Sequence, residues 1–210
     1  MATLGEMVRR IREDLDRGND FDARIKRAIE SAIKFYKNRR FGFNIKRAYA
    51  RLTSGNEYVS LPTDWVEADF LQLQRGDDRY PMQEVSYDWI EDQFGPLGER
   101  GQPYAYAIQH RSLRLYPIPD RTYTLMLSFQ YELKDVSQSA SDGATNAWMT
   151  EGEELIRKHA MADCLVLYID GAEAIAKGQL LKRECSDEIA VALESQAARE
   201  QSSGRIRAFM

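Results

Sequence analysis

Leu113-Arg114-Leu115-Tyr116-Pro117-Ile118-Pro119-Asp120-Arg121-Thr122-Tyr123-Thr124-Leu125-Met126-Leu127-Ser128-Phe129-Gln130-Tyr131 is the stretch from which the fold can be read. From Thr122 to Glu132 the side chains alternate. Tyr123, Leu125, Leu127, Phe129 and Tyr131 share one face, and Thr124, Met126, Ser128 and Gln130 share the other. A period of two over this length predicts a β-strand with a buried side. Leu113–Tyr116 reads as another strand, paired with Tyr104–Gln109 around His110-Arg111-Ser112. The proline-acid turn Tyr116-Pro117-Ile118-Pro119-Asp120 joins it to the long strand. A second such turn, Leu61-Pro62-Thr63-Asp64-Trp65, ends a short strand at Glu57–Leu61. Glu67–Gln74 and Tyr80–Val85 flank the turn residues Gly76-Asp77-Asp78-Arg79 and predict a further hairpin. Ser86 is placed to cap a short helix carrying Trp89, Ile90 and Phe94, and Gly95–Pro103 reads as a loop.

Outward from this β-rich middle the period becomes helical. Leu4, Val8, Ile11 and Leu15 form one apolar stripe, with Arg9, Arg10, Arg12 and Arg17 between them. Ile25, Ala28, Ile29, Ala32, Ile33 and Tyr36 form the next, which Asp20 or Asp22 can cap. Lys34, Lys37, Arg39 and Arg40 crowd its last turns, where the helix dipole favours cations. On the far side, Ser137–Gly143 is a polar linker. Trp148, Leu155, Ala162, Leu165, Val166 and Ile169 then supply a buried face. Leu180, Leu181, Cys185, Ile189 and Leu193 supply a last one, separated from it near Gly171 or Gly178. Ser202-Ser203-Gly204 reads as a spacer before the basic-apolar peptide Arg205-Ile206-Arg207-Ala208-Phe209-Met210. The predicted fold class is α+β. A helical bundle is built from a hairpin at 1–42 and helices at 137–197. A small antiparallel β domain is inserted at 43–136, and an extended tail follows at 198–210.

Composition narrows the function. With 210 residues, 43% hydrophobic and 30% charged, the chain can bury a core and is not of disordered type. It has no apolar run near the ~18 residues of a membrane helix, and its first residues lack the pattern of a secretory leader. Cys164 and Cys185 read as reduced, packed thiols. Charge is segregated. Residues 1–47 hold 13 Lys and Arg against 7 Asp and Glu, whereas residues 48–143 hold 8 against 15. A basic end and an acidic body suit self-association, nucleic-acid contact by the basic helices, or simply solvated faces.

Reactive constellations are sparse. His110 and His159 have no Cys, His or carboxylate partner at metal-ligand spacing. Neither a nucleophile elbow nor a phosphate-cradling glycine loop occurs. The acids Glu91-Asp92 and Glu151, Glu153, Glu154 are explained by helix N-termini before they are read as glycosidase groups. Tyr104, Tyr106 and Tyr116 near Arg111 and Arg114 could stack on single-stranded bases, yet the surrounding segment is acidic and repels phosphate. No catalytic residue, cofactor or metal is expected. The alternatives are a DNA-binding protein using Arg9, Arg10, Arg12, Lys34, Lys37, Arg39 and Arg40, and a cell-wall hydrolase using Glu91 and Glu154.

The order of these pieces resembles a known family. The residues that carry it are Thr3-Leu4-Gly5-Glu6-Met7, Ala28-Ile29-Glu30-Ser31-Ala32-Ile33 and Phe35-Tyr36 followed by Arg40-Phe41 and Phe43-Asn44. Tyr58-Val59-Ser60-Leu61-Pro62 with Asp64-Trp65, Pro103 with Tyr106-Ala107-Ile108, and the Leu113–Leu125 stretch continue it. Together they are similar to head-to-tail adaptor proteins of tailed bacteriophages. The resemblance implies a structural virion protein at the capsid–tail junction, assembled in the host cytoplasm. It implies a ring, typically of twelve copies, between the portal protein and the tail, around a channel for genomic DNA. The portal-docking tail would be Arg205, Ile206, Arg207, Phe209 and Met210. Tyr116, Pro117, Pro119 and Asp120 would meet the tail or a neighbouring copy. Glu151, Glu154 and Asp163 would face the channel.

Overall fold

The computed structural model describes residues 3–93, 98–133 and 141–206, with side chains placed to residue 199. In chain order the elements are α1 (Leu4–Asp14), α2 (Asp22–Tyr36), β1 (Ile45–Leu52), β2 (Tyr58–Ser60), β3 (Trp65–Arg75), β4 (Asp78–Pro81) and β5 (Gln83–Glu84). There follow α3 (Tyr87–Gln93), β6 (Arg100–Gly101), β7 (Ala105–Gln109), β8 (Ser112–Tyr116), β9 (Ile118–Pro119), β10 (Tyr123–Tyr131), α4 (Ala147–Thr150), α5 (Glu153–Tyr168), α6 (Ala172–Arg183) and α7 (Ala190–Ile206). The fold is α+β and falls into two compact units, residues 1–44 with 133–210, and residues 45–132.

In the helical unit, α1 starts with a capping box. The backbone N–H of Glu6 donates to the Thr3 hydroxyl, and the Glu6 carboxylate accepts from the Thr3 N–H. A single 3₁₀ turn, Asn19–Phe21, leads into α2, and no side chain caps that helix. Asp22 instead takes the Arg12 guanidinium at 3.0 Å. Leu4, Met7, Val8 and Ile11 of α1, Ile25 to Tyr36 of α2, and Ile156, Ala160 and Cys164 of α5 fill one core, joined by Phe41 and Trp148. The Trp148 ring stands edge-on to Phe41 and Phe43, which stack on each other. Helix α5 meets α6 along a different stripe, where Gly178 lies against Ala162, Leu165 and Val166. The break before α6 falls at Gly171, whose φ of +122° suits glycine. One π-helical segment, Glu184–Ile189, links α6 to α7 and carries the buried Cys185. Both cysteines are free and buried. Leu180, expected inside from its spacing, is 68% exposed.

The β unit has two four-stranded sheets, β1-β10-β3-β4 and β2-β8-β7-β5, and a short ribbon, β6-β9. Leu71, Leu73, Leu125, Leu127 and Phe129 of the first sheet share a core with Tyr106, Leu113 and Leu115 of the second, which makes a sandwich. The odd-numbered face of β10 points into it, as its alternation requires. The Trp65 ring stacks on Phe129 with centroids 4.7 Å apart. The strand pairing departs from the sequence reading in several places. Strand β1 pairs with β10 along its full length although no strand was expected there. The small pairings β5 with β7 and β6 with β9 are parallel, so the domain is not purely antiparallel.

Candidate assembly surfaces

The C-terminal helix runs further than its composition suggests. Ser202, Ser203 and Gly204, read as a spacer, are helical, as are Arg205 and Ile206 after them, so the tail expected to be extended from 198 is helical as far as Ile206. The Ala-rich run from Ala190 nucleates a helix, and adding weak formers at its end costs far less than starting one. Arg207, Phe209 and Met210 lie outside the described residues.

The proline-acid turn after β8 is stitched into the β unit. The Tyr116–Pro117 peptide bond is cis. The Tyr116 ring stands edge-on to Trp89 and Tyr104, and its hydroxyl donates to Glu99 Oε2 at 2.7 Å. That bond and burial push the phenol up to about 12. The Gly55 N–H donates to the Pro119 carbonyl, and the Ser54 hydroxyl donates to the Asp120 carbonyl. Tyr116, Pro117 and Pro119 are buried, and only Asp120 of the four is exposed. The Tyr123 hydroxyl donates to Asp120 at 2.6 Å, and with Arg121 nearby it holds that carboxyl below the usual range. The surface reading of this turn therefore narrows to Asp120.

The three acids expected to face a channel separate. Glu151 and Glu154 are exposed, with Glu154 2.9 Å from Lys158. Asp163 is buried, and Lys182 of α6 reaches it at 2.5 Å. Its place inside the bundle rules out a channel-facing position in the folded chain. His159 completes this cluster. Its Nδ1 is 3.0 Å from the Tyr36 hydroxyl and its Nε2 is 4.0 Å from Asp163, while the Phe35 ring lies tilted over it. Burial holds the imidazole below its ordinary pKa; the Asp163 charge opposes that shift and Lys182 reinforces it. The carboxylate partner missed in the sequence is thus one helical turn away, while Tyr36 and Lys182 come from other helices.

Arg114 was read as a possible base-stacking partner. Its guanidinium is buried under the rings of Tyr87 and Tyr58, at 4.8 and 5.7 Å, and pairs with Glu57 and Glu91. Tyr106 and Tyr116 are buried as well, so these tyrosines offer bases no platform. Glu91 is held below the usual carboxylate range by Arg114, the opposite of what a general acid requires. Several of the N-terminal cations proposed as phosphate contacts already hold acids. Arg9 pairs with Glu13, Arg10 with Glu153, Arg12 with Asp22, Lys34 with Glu30, and Arg39 with Glu194 through two bonds of 2.6 and 2.9 Å. Among the described residues no three His, Cys, Asp or Glu side chains gather as a metal site, and no helix is long and apolar enough to cross a membrane.

Exposed apolar side chains remain. In the helical unit they are Phe35, Leu167, Ile175, Leu180 and Val191, and in the β unit Tyr49, Tyr58, Val66, Tyr80 and Tyr104. The fold is thus a helical unit carrying an inserted sandwich, with these apolar side chains on its surface. The chain belongs to the SU10 adaptor protein family, whose model matches residues 2–207. It is a phage head-tail adaptor, a structural component of the virion, and the family implies portal and tail proteins as its partners. No curated protein matches the chain.

Proposed function

We propose that copies of this chain form a closed ring, of about twelve, that joins the portal vertex to the tail and encloses the DNA channel. The match to the adaptor family over residues 2–207 carries this reading. The C-terminal segment, with Arg205, Ile206, Arg207, Phe209 and Met210, docks on the portal. The β unit, with Asp120 at its exposed turn, meets the tail or the adjoining copy. Glu151 and Glu154 face the channel, where acidic groups let DNA pass during packaging and ejection because they make no phosphate contacts. The ring assembles in the host cytoplasm and stays at the capsid–tail junction. Weak contacts repeated around a ring become tight by avidity, so no single interface need be large.

The test is the mass of the full chain in solution, alone and mixed with the portal ring of the same virus. A discrete ring-sized complex that is lost on deleting residues 199–210 supports the reading. A chain that ignores the portal but shifts on duplex DNA, with steep salt dependence, replaces it with the DNA-binding alternative.

A further inference from the structure

The outer face of the sheet β1-β10-β3-β4 carries cations without partners. Residues paired across a sheet share a side, so Arg47, Tyr49 and Arg51 of β1 stand with Ser128, Met126 and Thr124 of β10, turned away from the sandwich core. Gln74 pairs with Thr124 on one side and Arg79 of β4 on the other, which brings Arg79 onto the same face. The three arginines are exposed, and Tyr49, between the first two, is 63% exposed. Lys46, on the opposite side of β1, holds Asp64 at 2.9 Å, but among the described residues none of the three arginines is paired with an acid. The acids of this sheet lie elsewhere. Glu67 shares the row of Ile45 and Gln130, at the far end from Arg51. Asp69 takes the Ser128 hydroxyl, Asp77 tips the β3–β4 turn, and Asp78 pairs with Arg75 on the inner side.

The other outer face of the sandwich has the opposite charge. It is covered by α3, whose Ile90 is buried against Ala105, Ala107 and Tyr116. From Tyr80 to Glu99 the sequence has five acids and no lysine or arginine. Asp88 and Asp92 lie on the side of α3 away from Ile90, and both are exposed. Neither is paired among the described residues. Asp92 falls in the last turn of α3, where the helix dipole disfavours an acid. Glu91 beside it is compensated by Arg114, whereas no described cation pairs with Asp92. The cations of this side are committed or set apart. Arg114 is buried and holds Glu57 and Glu91. Arg111 tips the β7–β8 hairpin, five residues from the Tyr116 against which α3 packs, and Arg100 lies beside Gly55. Tyr104, 50% exposed, and Trp89 both stand edge-on to Tyr116 and give this acidic face an aromatic surface.

We propose that the basic sheet face, Tyr49 with Arg47, Arg51 and Arg79, receives the α3 face, Asp88 and Asp92 with Tyr104, of the next copy of this chain. This rests on the ring reading above and assigns a subunit contact to the β unit. Charge selects the occupant. A phosphate backbone would satisfy the arginines alone and would be repelled by α3, whereas a second copy satisfies both unpaired sets with one contact. The two surfaces differ and lie on opposite sides of one sandwich. The contact is therefore head to tail and passes from copy to copy rather than closing as a two-fold dimer, as a ring requires.

Charge exchange tests it in the full chain, assembled with the portal ring. Arg51→Glu is expected to lower the assembled fraction by about tenfold, the scale of exchanging a close attraction for a repulsion, and Asp92→Arg to do the same. Combining the two restores assembly. Failure of that rescue, with circular dichroism showing all variants folded, overturns the proposal. Cysteine pairing is the second measurement, because native Cys164 and Cys185 are buried. Tyr49→Cys, Asp88→Cys and the two combined are assembled and treated with a short bismaleimide. The expected result is a ladder of dimers, trimers and higher species from the double variant only. Dimers from either single variant, or no ladder from a double variant that still reaches ring mass, overturn the proposal and leave the adaptor reading intact. If the unaltered chain never gains mass with the portal, both fall. Two further outcomes give the sheet face to another occupant and also overturn the proposal. In one, Arg51→Glu keeps ring mass but no longer retains the tail protein of the same virus. In the other, it keeps ring mass but loses retention of a labelled single-stranded oligonucleotide.

Discussion

A buried imidazole links three helices, and its surroundings set how the bundle responds to acid. His159 meets Tyr36 of α2, Asp163 of its own helix and, through Asp163, Lys182 of α6. Burial lowers its folded pKa beneath the ordinary 6.5. The unfolded chain therefore binds the proton more readily, and stability falls as pH drops below about 6.5. Urea midpoints measured from neutral pH downward should decline before the carboxylates titrate. His159→Gln, which keeps a polar partner for Tyr36, should flatten that early decline. An unchanged slope in the variant would assign the decline to other groups. At this scale the sequence shows only part of each site. Asp163 lies one turn after His159 and could be read from spacing, but Lys182 could not. Tyr116 sits beside two prolines and looks like a turn residue at the surface. It is buried because Trp89, Tyr104 and Glu99 close over it, and no local pattern encodes that.

Close packing at the α5–α6 crossing depends on a missing side chain. Alanine at position 178 would favour the helix by about 1 kcal/mol in isolation. Here its Cβ would press on the Ala162 carbonyl oxygen, 2.9 Å away, which cannot yield without moving α5. Overpacking of this kind costs about 1–3 kcal/mol. Gly178→Ala should therefore destabilise the chain by about 1 kcal/mol in urea unfolding, and a gain in stability would mean the helices stand further apart. Elements with strong periodicity were legible: the α1 stripe and the alternation of β10 both appear where the spacing puts them. Strand β1 was not, because Ile45-Lys46-Arg47-Ala48-Tyr49-Ala50-Arg51-Leu52 offers the core only Ala48, Ala50 and Leu52. Its charged residues suit the sheet edge that it occupies. Helix α6 misled for the reverse reason. Leu180 has core spacing with Leu181 and Cys185, yet the glycine contact turns it outward.

Each unit of the molecule has its own interior. The helical core gathers residues from α1, α2, α4, α5 and the segments before and after α7 begins, all within 1–44 and 133–210. The sandwich core and the smaller cluster around Ile90 draw only on residues 45–132. The sandwich also closes its own ends. Strand β1 opens it and β10 ends it, paired side by side from Ile45 with Gln130 to Leu52 with Tyr123, and the Glu132 N–H returns to the Asp64 carbonyl. An insertion whose first and last strands are neighbours needs no other segment to bring its ends together, so the loop-closure cost falls on the sheet itself. Residues 45–132 expressed alone should therefore fold, giving a cooperative urea transition and a dispersed amide spectrum. A fragment that stays unfolded, while the full chain unfolds in one step, would show that the sandwich draws its stability from the helical unit. An autonomous sandwich has a consequence for the adaptor. Substitutions at Asp120, where we propose the tail or the adjoining copy is met, would then leave the helical unit as stable as before.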